Sequence, residues 1–164
     1  MYFMSKLIQV VIVVLAFQTS YSQVLNSLNN EVSEFNEIKL QWTLTFKEAL
    51  KKSKKEKKPI LIYFTGSDWC GPCKILNTKL FHTEKFKILS DKGLILLEVD
   101  IPRKRDLLTA SKMKENLFLQ QKYGVKAFPT LLMVNHRGKK IAEKKGYIMA
   151  EYYYPFLQSE INKY

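Results

Sequence analysis

The stretch "ILIYFTGSDWCGPCK", Ile60 to Lys74, decides the fold. It opens with five apolar, β-prone residues, Ile60 to Phe64, the signature of a short strand buried on both faces. A turn follows in Gly66, Ser67 and Asp68, and then Cys70 and Cys73 stand three apart at the start of a segment with one apolar helical face, marked by Ile75, Leu76 and Leu80. These are the only two cysteines among 164 residues. A strand leading into C-x-x-C at a helix N-terminus puts both sulfurs on one helical face. They can then close into a disulfide with little backbone movement, since a bridge needs Cα atoms roughly 4.4 to 6.8 Å apart.

Three readings of the pair compete. A structural staple closing so small a loop stabilises by only about 2 kcal/mol, which is little for a chain whose 46% hydrophobic residues already suffice for a core. Zinc would need further ligands, and the two histidines, His82 and His136, are far apart and lack paired spacing. Redox exchange has a positive mechanism. Unpaired N–H groups and the macrodipole at the helix start favour an anion, so the Cys70 thiolate is stabilised and becomes the nucleophile. Cys73, one turn deeper, resolves the mixed disulfide that Cys70 forms with a substrate.

Outward from this stretch, the pattern alternates. "TFKEALKKSK" carries a Thr45/Glu48 capping box and predicts a helix over 45–55, stopped by Pro59. Gly93 closes the helical region after the cysteines, and 94–99 repeats the buried-strand signature. "ENLFLQQKYGV" predicts a helix ending at Gly124, 130–134 a third strand, and "NHRG" a turn into a fourth near "KIAEKKGY". The last segment, 150–161, reads as a helix with Pro155 in its first turn or at a kink. Helices alternating with buried strands, then a hairpin and a closing helix, predict an α/β sandwich with a central mixed sheet in a single domain.

Lys6 and the apolar run Leu7 to Phe17, followed by Ser20 and Ser22, read as a signal peptide over 1–22 cut after Ser22. Eleven apolar residues fall short of the roughly 20 that span a bilayer as a helix. A polar extension over 23–39 and a folded domain over 40–164 follow, and the chain is expected in the periplasm or secreted. Lys6 is the only charged residue of the leader, so the remainder keeps 26 basic against 15 acidic residues, a net charge of +11. Much of it sits in "KKSKKEKK", Lys51 to Lys58, which reads as a solvated helix end and loop; no motif for nucleic acid accompanies it.

"WCGPCK" after an apolar strand, together with "YGVKAFPTLLMVNHRGKKIAEKKGY" from Tyr123 to Tyr147, resembles the thioredoxin superfamily, and most of all its exported bacterial branch. The resemblance covers about 40–161 and implies the thioredoxin-like three-layer sandwich, a mixed sheet flanked by helices. It implies that Cys70 is the nucleophile and Cys73 the resolving cysteine, that Trp69 packs beside the site, and that Pro129 is a cis-proline facing the cysteines. It further implies that Phe128 offers its backbone to a substrate strand. Gly71 and Pro72 form the dipeptide typical of reducing members, so the implied activity is reduction of disulfides in exported proteins. Electrons would come from a membrane thiol donor, with no cofactor and no metal, and the chain would act as a monomer. The alternatives are an oxidase or isomerase, and a redox-inert binding module. One departure stands out: the family's buried aspartate ahead of the site is replaced by Tyr63 or Phe64. Water, Tyr63 or Asp68 is left to take the proton of Cys73, water foremost.

Overall fold

The computed structural model describes residues 38–164. The expected leader over 1–22 and nearly all of the extension over 23–39 lie outside the described residues. The first element is a two-residue strand β1, Trp42–Thr43, which the polar lead-in does not announce. Helix α1, Phe46–Glu56, begins where the capping box predicts: Thr45 accepts the Glu48 N–H, while Glu48 reaches back to the Leu44 N–H at 2.9 Å. It ends before Pro59 acts, because Lys57 turns left-handed with φ 54°.

Strand β2, Ile60–Thr65, is buried along its whole length. Helix α2, Gly71–Leu76, runs directly into a π-helical turn, Asn77–Phe81, closed by the His82 N–H on the Asn77 carbonyl at 3.0 Å. Thr83 then caps a separate helix α3, Glu84–Gly93. Strand β3 occupies Ile95–Asp100, one residue later than the apolar run suggests. Helix α4, Ala110–Tyr123, starts well ahead of the expected pattern because Thr109 caps it by accepting the Lys112 N–H, and it ends as expected at a left-handed Gly124. Strands β4, Thr130–Val134, and β5, Lys140–Lys145, form the predicted hairpin. A short 3₁₀ turn, Ala150–Tyr152, leads into helix α5, Tyr153–Asn162, with Pro155 in its first turn.

The five strands form one sheet in the order β1-β3-β2-β4-β5. β1, β3 and β2 are parallel, and β4 and β5 are antiparallel to their neighbours, giving the mixed sheet that the sequence predicts. Because side chains alternate, each central strand feeds two cores. Leu61, Tyr63, Leu131 and Met133 point to the face covered by α2, α3 and α5, where both cysteines lie. Ile60, Ile62, Phe64, Leu132 and Val134 point to the face covered by α1 and α4. This is the α/β three-layer sandwich. β5 forms one border of the sheet and is largely exposed, with Lys140, Lys144 and Lys145 along it. Among the described residues no helix is long and apolar enough to cross a membrane.

Candidate active site

β2 delivers the chain to Gly66, whose carbonyl accepts the N–H groups of both Trp69 and Cys70, at 3.2 and 2.8 Å. A side chain at Gly66 has no room, because a Cβ there would fall inside the Trp69 indole. Cys70 is the N-cap of α2, in extended conformation, and its sulfur accepts the Cys73 N–H at 3.2 Å. One orphan donor of the helix start is therefore spent on the sulfur itself. Pro72 sits at the start of the helix, where the N–H it lacks is not missed.

Cys70 and Cys73 form a disulfide with their Cα atoms 5.2 Å apart, within the range the spacing predicts. The two residues are 3% and 1% exposed, whereas Gly71 and Pro72 between them lie open to solvent. The solvent-facing surface next to the covered sulfurs is therefore the Gly-Pro turn and the rim around it.

That rim is aromatic. The Trp69 ring meets Phe128 edge-on with centroids 5.4 Å apart, and both residues pack on the core cluster that contains the cysteines. The Phe128–Pro129 bond is cis, as the resemblance implies. Pro129 is buried, its carbonyl accepts the Gly146 N–H at 2.8 Å, and Thr130 closes the turn through Oγ1 to the Ala127 carbonyl at 2.8 Å. Trp69, Cys70, Cys73 and Phe128 thus converge, and Pro129 follows on the same loop.

The loop ahead of the cysteines is tied to the one after β3, a connection that no local pattern foretells. Asp68 accepts the N–H groups of Arg103 and Lys104, both at 3.0 Å. Ser67 donates its N–H and hydroxyl to Asp100 at 2.8 and 2.6 Å. The Trp69 indole N–H donates to the Ile101 carbonyl at 2.8 Å, and the Arg103 guanidinium lies 4.8 Å from the Trp69 ring centroid. Desolvation pushes the Asp68 carboxyl up, but the N–H groups of Lys104 and Arg103 and the Lys104 charge together hold it below its ordinary value. Asp68 is a staple between two loops, fully engaged with backbone amides, and not an idle base beside Cys73.

Of the two residues expected in the aspartate's place, Tyr63 is the one on the cysteine side of the sheet. Phe64 points to the opposite core, and Tyr63 faces the cysteines at 2% exposure. Its hydroxyl donates to the Cys73 carbonyl at 3.1 Å. Burial, with smaller contributions from the charges of Glu98 and Asp100, pushes its pKa up to about 12, so the phenol keeps its proton at neutral pH. A carboxylate stands beside it on the neighbouring strand: Glu98 is the register partner of Tyr63, so it stands on the same side of the sheet. Burial and the Asp100 charge raise its pKa against the pull of Lys112. The residue still meets solvent, so screening limits the effect. Glu98 shares the parity of Leu94 and Leu96 along its strand; that alternation, set beside the register of β2, is the signal that could have identified it.

A strand, a capped C-x-x-C disulfide and a cis-proline loop on one end of a mixed sheet define a thioredoxin-like domain. The chain belongs to that family: the thioredoxin-like domain model matches residues 46–160. Disulfide bond reductase DsbH of Chlamydia pneumoniae is 37% identical over 103 residues, covering 63% of this chain and 61% of the relative. The thioredoxin-related protein DsbJ of the same organism is 29% identical over 100 residues, covering 61% of this chain and 28% of the relative. The matches thus span less than two thirds of either relative's length. A solved structure of DsbH oxidoreductase, 31% identical, superposes with a TM-score of 0.69 over 75% of this chain and 85% of that one.

Proposed function

We propose that the chain is a thiol:disulfide oxidoreductase that reduces disulfides in other proteins. The observation that carries this is the Cys70–Cys73 disulfide formed at a helix N-cap, with the Cys73 N–H directed at the Cys70 sulfur. In the reduced protein that N–H and the helix start favour the Cys70 thiolate over the thiol. The thiolate attacks one sulfur of a substrate disulfide, forming the Cys70–substrate bond while the other substrate sulfur leaves as a thiolate and takes up a proton. Cys73 then loses its proton and attacks the Cys70 sulfur. The second substrate sulfur is released, and the Cys70–Cys73 bond closes. Two electrons have passed to the substrate, and a dithiol donor must return two to reopen the pair.

Cys70 is the nucleophile, Cys73 the resolving residue, and Gly71, Pro72, Trp69, Phe128 and Pro129 form the surface that receives the substrate chain. Tyr63 holds its own proton and Asp68 is engaged elsewhere, so the proton of Cys73 passes to water. The Gly-Pro dipeptide and the reductase name of the Chlamydia relative support the reducing direction. The leader-like pattern over 1–22 supports export after cleavage near Ser22, with disulfide-containing exported proteins as substrates, a membrane thiol donor, and a single copy of the chain as the working unit.

The test has two arms. Cys73→Ala should accumulate mixed disulfides through Cys70, with both substrate proteins and a membrane donor in the trapped set. The reduction potential of the pair against glutathione should fall near the reducing end, about −270 mV as for thioredoxin itself. A value above about −180 mV would assign the chain to the oxidase or isomerase class instead. Full biological activity in Cys70→Ser would remove catalysis altogether and leave a binding module.

A further inference from the structure

Helix α4 is unusual in what it leaves outside. It buries Asn116 and Leu119, yet Leu117 and Phe118 on it are 48% and 57% exposed. Between this face and the loop after β3 lies a groove of about 920 Å³, lined by Ile101, Pro102, Arg103, Met113, Lys114 and Phe118 among others. Among the described residues its lining carries the cations Arg103 and Lys114 and no carboxylate.

The groove adjoins the active-site rim through two of its lining residues. Arg103 lies over the Trp69 ring, and the Ile101 carbonyl receives the Trp69 indole N–H. A polypeptide whose disulfide is presented to Cys70 therefore has an apolar, positively charged path open to it beyond Trp69.

We infer that this groove docks the protein that exchanges disulfides with Cys70, through a segment of that protein carrying apolar side chains beside aspartate or glutamate residues. The inference rests on the exchange reading of the Cys70–Cys73 pair. The apolar wall supplies burial for the partner's side chains at roughly 25 cal/mol per Å². The cations draw in its carboxylates and raise the encounter rate. A bare polyanion would satisfy Arg103 and Lys114 but would leave Met113, Leu117 and Phe118 without apolar contact, which favours a protein partner over a nucleic acid.

The test uses the reduced full chain and two disulfide peptides, each with an extension of about ten residues, long enough to reach along a helix at roughly 3.3 Å per residue. One extension mixes Leu and Phe with Glu; the other carries Lys in place of Glu. Each is attached on either side of the cysteine. The acidic peptide should react about tenfold faster at low salt, a modest size for charge steering, and the advantage should shrink toward parity near 1 M salt. Lys114→Glu combined with Phe118→Ser should abolish the advantage while a small neutral disulfide reacts as before.

Equal rates for the two peptides, or an advantage that survives in the double variant, would overturn the docking. Competition by single-stranded DNA with no preference between the peptides would assign the groove to nucleic acid and overturn it too. Failure of every disulfide to react, the small neutral one included, would remove the exchange reading and the docking with it, a pattern distinct from the other three.

Discussion

Tyr63 faces the cysteines with a phenol, and its chemistry there differs from that of an acid. A buried phenol whose pKa is pushed up to about 12 donates one hydrogen bond and exchanges no proton in the physiological range. What it does is hold the first turn of α2 through the Cys73 carbonyl, which also accepts the Asn77 N–H. Tyr63→Phe should therefore cost about 0.5 to 1.5 kcal/mol in equilibrium unfolding, at the low end because one partner of the carbonyl remains. The pH dependence of disulfide reduction between about pH 6 and 9 should be unchanged, since the lost group does not titrate there. A shifted pH profile in this variant would make Tyr63 the proton carrier after all. The cysteine pair was legible from a short motif because that motif is local, while the place of Trp69 and the cis bond at Pro129 were legible only through the family resemblance, since a Phe-Pro dipeptide alone does not fix its isomer. The role of Tyr63 was not legible: parity along β2 decides between it and Phe64, and only the placement of α2 shows which core holds the sulfurs.

Among the elements, the two loops at the end of the sheet depend on each other. Residues 66–69 and 100–104 are joined through Asp68, Ser67 and the Trp69 indole, so the geometry ahead of Cys70 is set by a segment more than thirty positions downstream. Asp68 has a folded-state pKa below its ordinary value, hence it contributes stability above the ordinary carboxylate range, and that contribution is lost as pH falls through the depressed value. Asp68→Asn should melt below the wild type at neutral pH; the gap should narrow as pH falls below about 4, where the unfolded carboxyl takes up its proton, and close only once the native carboxyl is protonated too. A gap independent of pH would mean that the charge of Asp68 does nothing for the staple. Capped helices and apolar strands were readable in the chain because caps and periodicity act within a few residues. β1, the π-helical turn and the separate α3 were not, since two residues of strand have no period and the break at His82 and Thr83 falls inside one apolar pattern. The early start of α4 rests on Thr109 alone and was hidden in a polar, basic stretch.

For the molecule as a whole, the division into two cores separates stability from chemistry. Leu131 and Leu132 are neighbours on β4 and both are fully buried, but Leu131 belongs to the cluster with the cysteines and Leu132 to the one beneath α1 and α4. Truncating either to alanine should cost about 2 to 5 kcal/mol in denaturant unfolding. Only Leu131→Ala should also change the rate at which Cys70 is alkylated in the reduced protein. Equal changes in both variants would show that the sheet transmits packing defects across its thickness. The basic surplus of the chain, which composition alone could not assign, becomes local here: Arg103 lies over Trp69, Lys114 lines the groove along α4, and Lys140, Lys144 and Lys145 line the outer border of the sheet. That last placement bears on self-recognition. An open β-border is a ready template for another chain, and the lysines along it, two of them paired with Glu143, work against the docking of a second copy. The molecule can thus keep a receptive rim for foreign disulfides at one end while its flank discourages the ladder growth that starts fibrils.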